Sequence, residues 1–337
     1  MTSPTVDFNT KVEFLRQLGS YPEPTSKVDV INTHMSCVFL TDAFVYKLKK
    51  PIRLSFLDFR SLNARRHFCE ESIRLNKRLA KDIYLSVVAL TADPQGSLHI
   101  GGEGTPVEWL EKMRRVPDKL MLDNAIRAGS ISPDDVRRFT DVLLAFYRLA
   151  KPIAITKQSY RQRFLRNINA SLEALQDPVY GLPEKQLQRL GVALMSFVRD
   201  RGPLFDARVK AKRIIEAHGD LRPEHVCLLP QPVFIDCLEF DLELRILDSV
   251  DELAFLAMEC ERAGAGFIGE VMFEVYKAST DDAPPLGLIA FYKAHHAIVR
   301  AKLSAWHILD YPVEEHPKWI QQAKNYLDLA EAYTSHF

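Results

Sequence analysis

Up to residue 113 the chain is written mostly in short β-like runs, and from residue 119 it is written almost entirely in helical spacing. That change of period constrains the fold more than any other feature. Residues 28–33, 37–40 and 44–49 read as three successive strands, the last two joined by Thr41-Asp42-Ala43. A short amphipathic helix at 11–18 precedes them, stopped by Gly19 and by Pro22 and Pro24. A helix at 63–79 follows, with Phe68, Ile73 and Leu75 among many charges. Further strands are expected at 84–90, 97–100 and 107–113. Strands, one helix, then more strands imply an α+β lobe on an antiparallel sheet. In the second half, Ser132-Pro133-Asp134-Asp135 opens a helix running to 149, with a capping serine, proline in the first turn and acids at the positive end. Other helices are expected at 159–175, 184–201, 206–217, 251–263, 267–278, 286–308 and 317–332. The expected organisation is a small sheet lobe over residues 1–113, a hinge at 114–118 and a larger helical lobe over 119–337.

Charge excludes some classes of partner. The 44 basic and 44 acidic residues cancel, so nothing global attracts nucleic acid or an anionic membrane. No apolar run approaches the roughly 18 residues of a membrane span, and residues 1–10 are polar, without the apolar core of a signal peptide. The five cysteines are odd in number, scattered and without a CxxC pair, so they read as reduced, buried small hydrophobes of a cytoplasmic protein.

The chemistry is concentrated in His218-Gly219-Asp220-Leu221-Arg222-Pro223-Glu224-His225 and in Phe234-Ile235-Asp236. Residues 211–217 read as the end of a helix. Residues 226–229 and 233–235 read as a hairpin around Pro230-Gln231-Pro232. A polar loop running into a tight hairpin brings Asp220 and Asp236 near one another, although sixteen residues separate them. That suits a general base and a metal-binding carboxylate sharing one site. The competing reading is a helix end with a turn, for which Asp and Gly are ordinary residues.

The pattern H-x-D-L-x-P, an apolar run, then apolar-apolar-Asp resembles the protein-kinase catalytic loop and its metal-binding Asp. With Gly219 after His218 it is similar to the aminoglycoside phosphotransferase-like kinases of small molecules. Val38-Phe39-Leu40-Thr41, Tyr46-Lys47-Leu48-Lys49-Lys50-Pro51 and Arg65-Arg66-His67-Phe68-Cys69-Glu70-Glu71 extend the resemblance over most of the chain, toward a bacterial branch whose relatives sometimes carry an additional P-loop ATPase domain. No G-x-x-x-x-G-K-[ST] occurs in this sequence. The resemblance implies a bilobal, protein kinase-like α+β fold that uses ATP and Mg2+. It further implies transfer of the γ-phosphoryl group to a hydroxyl of a small molecule such as a sugar, amino sugar, amino alcohol or antibiotic. Nucleotide and acceptor are the expected partners, with no nucleic acid and no membrane.

By that resemblance Asp220 is the catalytic base and Asp236 the metal ligand. Lys47 neutralises the phosphates, with Lys49 a competitor on the same strand face. Glu71 is expected to partner the lysine, preferred over Glu70 because Leu75 and Leu79 continue its stripe. Met113 marks the adenine hinge, and Ser36 contacts phosphate in place of a glycine-rich loop. His225 stands where kinases carry a metal-binding Asn, as a ligand or as a hydrogen-bonding residue, with Glu239 as another source of oxygen. His218 is expected to be structural, Arg222 to meet the acceptor or brace the loop, and Asp251 to cap its helix. Lys293, His296 and Arg300 share a helix face, either solvated or turned to an acceptor. Alternative functions are a catalytically inactive binding or regulatory module, a protein kinase, and a metal-dependent phosphoesterase built on His218, Asp220, His225 and Asp236. Cys237-Leu238 after Asp236 offers no protein-kinase activation segment.

Overall fold

The computed structural model describes residues 6–54, 57–309 and 311–337, so the polar N-terminal stretch falls partly outside the described residues. In chain order the first half contains α1 (Phe8–Leu15), β1 (Asp29–Asn32), β2 (Ser36–Leu40), β3 (Phe44–Lys49), β4 (Arg53–Leu54), β5 (Leu57–Asp58), α2 (Leu62–Asn76), β6 (Tyr84–Ala92), β7 (Leu98–Ile100) and β8 (Thr105–Arg114). Then follow α3 (Leu122–Arg127), α4 (Pro133–Leu149), α5 (Lys157–Leu175), α6 (Glu184–Asp200), α7 (Gly202–Lys210), β9 (Ile214–Glu216), β10 (Val226–Cys227) and β11 (Val233–Phe234). The chain continues through α8 (Leu242–Arg245), β12 (Ile246–Asp248), α9 (Ser249–Arg262), α10 (Phe267–Ser279), α11 (Leu286–Trp306) and α12 (His316–Thr334).

The chain divides into two compact units. The first joins Met1–Met121 to His225–Leu244, and the second joins Leu122–Glu224 to Arg245–Phe337. The first is built on an antiparallel sheet in the order β1-β2-β3-β8-β6-β7. Alternation along its strands buries Phe39, Tyr46, Leu48, Leu90 and Leu110 with Leu15 and Tyr21. Ser61 caps α2 by accepting from the Ala64 N–H, and the helix buries Cys69, Ser72, Ile73, Leu75 and Asn76. The β10–β11 hairpin belongs to this unit, where the Leu228 N–H donates to the Leu120 carbonyl at 2.7 Å. The expected division put the hairpin with the helices; backbone pairing with residues next to the hinge places it with the sheet instead.

The second unit is helical around an aromatic core of Tyr160, Phe164, Phe197, Phe205, Phe291 and Tyr292. The helix expected over 206–217 ends at Lys210, and Ile214–Glu216 instead forms β9, paired antiparallel with β12. Lys212 turns the chain at a φ of 57°, and the β-branched Ile214 and Ile215 suit a buried strand. Asp248, not Asp251, caps α9 by accepting from the Val250 N–H. The basic face of α11 is neither free nor turned to an acceptor. His296 meets Asp251 at 2.9 Å, Arg300 meets Glu259 at 3.1 Å, and Lys293 meets Glu261. Among the described residues no helix is long and apolar enough to cross a membrane, and all five cysteines are free and buried.

Candidate functional site

In the sheet unit, alternation along β3 points Lys47 and Lys49 to one face. Lys47, 14% exposed at its side chain, donates from Nζ to Asp236 Oδ1 at 2.7 Å. Asp236 follows β11 in the left-handed region, at a φ of 60°. That conformation is uncommon outside glycine, although Asp tolerates it better than most residues. Two side chains from the sheet unit hold it: the Asp236 N–H donates to Tyr84 Oη at 2.9 Å, and the Cys237 N–H to Asn76 Oδ1 at 2.8 Å. Such backbone strain, of order 1–3 kcal/mol, persists where surrounding contacts over-determine it and concentrates at functional sites. His225 Nε2 lies 3.8 Å from Asp236 Oδ2. Burial alone would raise the Asp236 carboxyl; the charge of Lys47, then that of His225, outweighs it and holds the group well below the usual carboxylate range. Lys47 is correspondingly raised, with burial opposing and Asp236, Glu111 and Glu239 prevailing.

Lys49 is enclosed. Its Nζ lies 2.7 Å from Glu111 Oε1 and 2.5 Å from Glu239 Oε1, with no side-chain exposure. Against burial, these two carboxylates push the lysine up. Ser72 Oγ donates to Glu111 Oε2 at 2.7 Å, completing a tie from α2 through β8 to the segment after Asp236. Glu71 does not meet Lys47. It accepts from Arg74 at 2.6 and 2.7 Å, because the buried stripe of α2 runs through Cys69, Ser72 and Asn76 and leaves Glu71 beside it. Glu111 and Glu239 therefore supply what was expected of Glu71, but to the neighbouring lysine.

Ser36 is buried at the start of β2, and its N–H is spent on Thr33 Oγ1 at 3.0 Å. Met113 pairs with Val45 and Tyr84 across the sheet. It packs in an apolar cluster with Val45, Val116, Leu229 and Ile235. Val45 lies two residues before Lys47 and Ile235 immediately precedes Asp236, so an apolar shelf adjoins the ion pair.

In the helical unit, Gly219 at a φ of 88° gives the loop its sharp turn. The N–H groups of His218 and Gly219 both donate to Glu252 Oε1, at 2.7 and 2.9 Å, and Tyr147 Oη donates to Glu252 Oε2 at 2.8 Å. His218 is wholly buried, and its Nδ1 accepts from the Asp220 N–H at 3.3 Å, a bracing role. Asp220 accepts from Arg222 through Nε at 2.9 Å and through Nη2 at 3.1 Å, while Arg222 Nη1 donates to Glu224. Burial would lower Arg222; Asp220 and Glu224 raise it above its ordinary value. Glu252 escaped the sequence reading. Its signal was faint, an acid beside Asp251 at the head of the apolar run Leu253-Ala254-Phe255-Leu256. Asp220 lies in the helical unit, and His225 and Asp236 lie in the sheet unit.

No protein-family profile matches the chain. Uncharacterized proteins of Mycobacterium bovis and Mycobacterium tuberculosis are 33% identical over 279 residues, or 82% of this chain and 54% of each relative. The chain thus spans about half the length of the curated relatives it matches. Among solved structures, a choline/ethanolamine kinase family protein from Mesorhizobium loti aligns with a TM-score of 0.54 at 14% identity, covering 96% of this chain and 99% of that one. Plasmodium vivax ethanolamine kinase gives 0.54 at 12% identity, covering 92% and 84%. Aminoglycoside phosphotransferase APH(3'')-Id from Streptomyces rimosus, in complex with ADP and streptomycin, gives 0.51 at 15%, covering 88% and 99%. With its antiparallel sheet unit, its helical unit and these structural neighbours, the chain has the aminoglycoside phosphotransferase-like, protein kinase-like fold.

Proposed function

We propose that this protein transfers the γ-phosphoryl group of ATP, with magnesium, to a hydroxyl of a small molecule. The observation that carries the reading is the Lys47–Asp236 pair on its left-handed backbone, beside the shelf of Val45, Met113 and Ile235. One unit thereby offers a cation, an ionised carboxylate and an apolar surface, which is what a nucleotide's phosphates, its metal and its base require. The residues fit the group. Asp236 is 46% exposed at its side chain and stays ionised, an oxygen donor of the kind magnesium prefers. His225, a nitrogen donor 3.8 Å from Asp236 Oδ2, is better suited to orienting that carboxylate than to ligating magnesium. Met113, near the end of β8 in that apolar cluster, is the residue proposed to meet the base.

When bound, ATP with magnesium supplies the activated phosphoryl group. Lys47 neutralises phosphate charge, while Lys49, sealed between two carboxylates, fixes the strand and the Asp236 segment. Asp220 accepts the proton of the acceptor hydroxyl. The bidentate Arg222 holds its carboxylate in one orientation until the acceptor arrives. The likeness to choline and ethanolamine kinases supports a small alcohol as acceptor.

The test is the melting midpoint with ATP, ADP and GTP, each with and without magnesium, followed by ADP release across a panel of small hydroxyl compounds. A native-state ligand at about 100 times its dissociation constant adds about 2.7 kcal/mol, so a magnesium-dependent rise of several degrees is expected. Asp220→Asn should leave that rise intact while lowering turnover by about a hundredfold to ten-thousandfold. Full turnover in that variant refutes the mechanism. The second reading, an inactive binding module, is favoured by His225 at the position expected of a metal-binding Asn and by the arginine closed on Asp220. It predicts nucleotide binding with no ADP release for any acceptor.

A further inference from the structure

We propose that Asp251, His295 and His296 form a transition-metal site inside the helical unit, separate in its residues from Lys47, His225 and Asp236. Asp251 lies in the first turn of α9, and the two histidines lie in the middle of α11. One ligating atom from each of the three lies within 4.8 Å of the others. Asp251 is buried, with Oδ1 2.9 Å from His296 Nε2. The His296 ring stacks flat on Phe255, with centroids 4.3 Å apart and planes 3° from parallel, which fixes its orientation.

His295 supplies the independent observation. It is 6% exposed, and neither Nδ1 nor Nε2 has a hydrogen-bond partner. Its ring packs against Phe164, edge-on at 5.1 Å, and Phe291, near-parallel at 6.3 Å, and neither offers an acceptor. Buried polar atoms are almost always satisfied, so an imidazole with both nitrogens unmet beside a buried carboxylate calls for a ligand. Two imidazole nitrogens and one carboxylate oxygen are a donor set for zinc and its neighbours in the first row; magnesium and calcium select oxygen. Three protein donors leave one tetrahedral position for water. A bound ion would draw the donors in to about 2.0–2.1 Å and clamp α9 to α11. The charge of Arg163 acts on both Asp251 and His295, so an ion entering here competes with it.

The site does not depend on the phosphotransfer reading. The full chain, stripped with a chelator, would be titrated with zinc against a chromophoric competitor and then with cobalt(II), followed by its visible absorption. Expected are one equivalent bound, a ligand-field band of low coordination number, and no competition by magnesium at this site. His295→Phe, which suits the surrounding rings, and Asp251→Asn should each weaken zinc on the order of a hundredfold, whereas Arg163→Gln should tighten it. Asp236→Asn should leave zinc affinity unchanged. Zinc affinity equal in His295→Phe and wild type overturns the proposal, as does loss confined to Asp236→Asn or no binding at all. Should the variants fail to fold, X-ray absorption of the zinc-loaded wild type decides. Two imidazole nitrogens in the shell uphold the site, and a shell of oxygen or sulfur alone refutes it.

Discussion

Lys47 and Lys49 leave β3 on the same face, two residues apart, and the carboxylates around them give them different work. Lys47 shares Asp236 with solvent, whereas Lys49 is closed between Glu111 and Glu239. Removing one partner of a buried charge cluster strands the others. Lys49→Met should therefore cost about 3–5 kcal/mol in urea unfolding. Lys47→Met should cost less than Lys49→Met, because water can reach Asp236 in place of the lysine, and should abolish the magnesium-dependent nucleotide shift. The sequence pattern singles out Lys47, Asp236 and His225, which the fold brings together, and keeps Lys49 as a competitor. It could not rank the lysines, because the deciding Glu239 lies 190 residues along the chain. Glu111 carried a faint signal, an acid between Leu110 and Met113 in a buried strand. Glu71 was misassigned because helical spacing narrows a face to a stripe without identifying which residue at its border turns inward.

At the level of elements, the loop bearing Asp220 is held from α9. Glu252 takes the backbone of His218 and Gly219 and is itself held by Tyr147, so the helix sets the loop's position. Glu252→Ala removes the acceptor of the buried His218 N–H and the part-buried Gly219 N–H and should cost about 2–3 kcal/mol. It should also lower kcat while leaving KM for nucleotide unchanged, since the residues proposed for nucleotide lie in the other unit. Urea unfolding and steady-state kinetics check both. The antiparallel sheet and most helices followed the sequence periods. Residues 206–217 did not, because the partner that makes Ile214–Glu216 a strand is β12, about thirty residues later, and the chain leaves the helix after Lys210 and turns at Lys212 without a glycine or proline to mark it. The β4–β5 pairing was also missed; paired segments of two residues are too short to show a period.

Across the molecule, charge pairing sets the response to acid. Asp236 and Glu239 are both lowered: in each, burial acts upward and the lysines prevail, Lys47 at Asp236 and Lys49 at Glu239. A carboxylate with a depressed native value binds fewer protons than in the unfolded chain. Its stabilisation is complete above about pH 5 and is lost progressively as pH falls below that. Unfolding free energy of the wild type should therefore fall on acidification from about pH 5. Lys49→Met, having lost the stabilisation at Glu239 already, should show a shallower slope in the same urea series.

The sheet unit is assembled from two separated stretches of chain, and this bears on its synthesis. A ribosome that has completed Met121 has made every strand of the six-stranded sheet, with both lysines in it, while Asp236 and Glu239 remain untranslated. At about 5–20 residues per second, the roughly 120 residues up to Leu244 take about 6–25 s. For that interval the nascent sheet carries a lysine in its interior with Glu111 as the only one of its two carboxylates yet made. Completion of the sheet unit therefore waits for a segment that follows just over half of the helical unit out of the exit tunnel, so the two units mature together rather than one after the other.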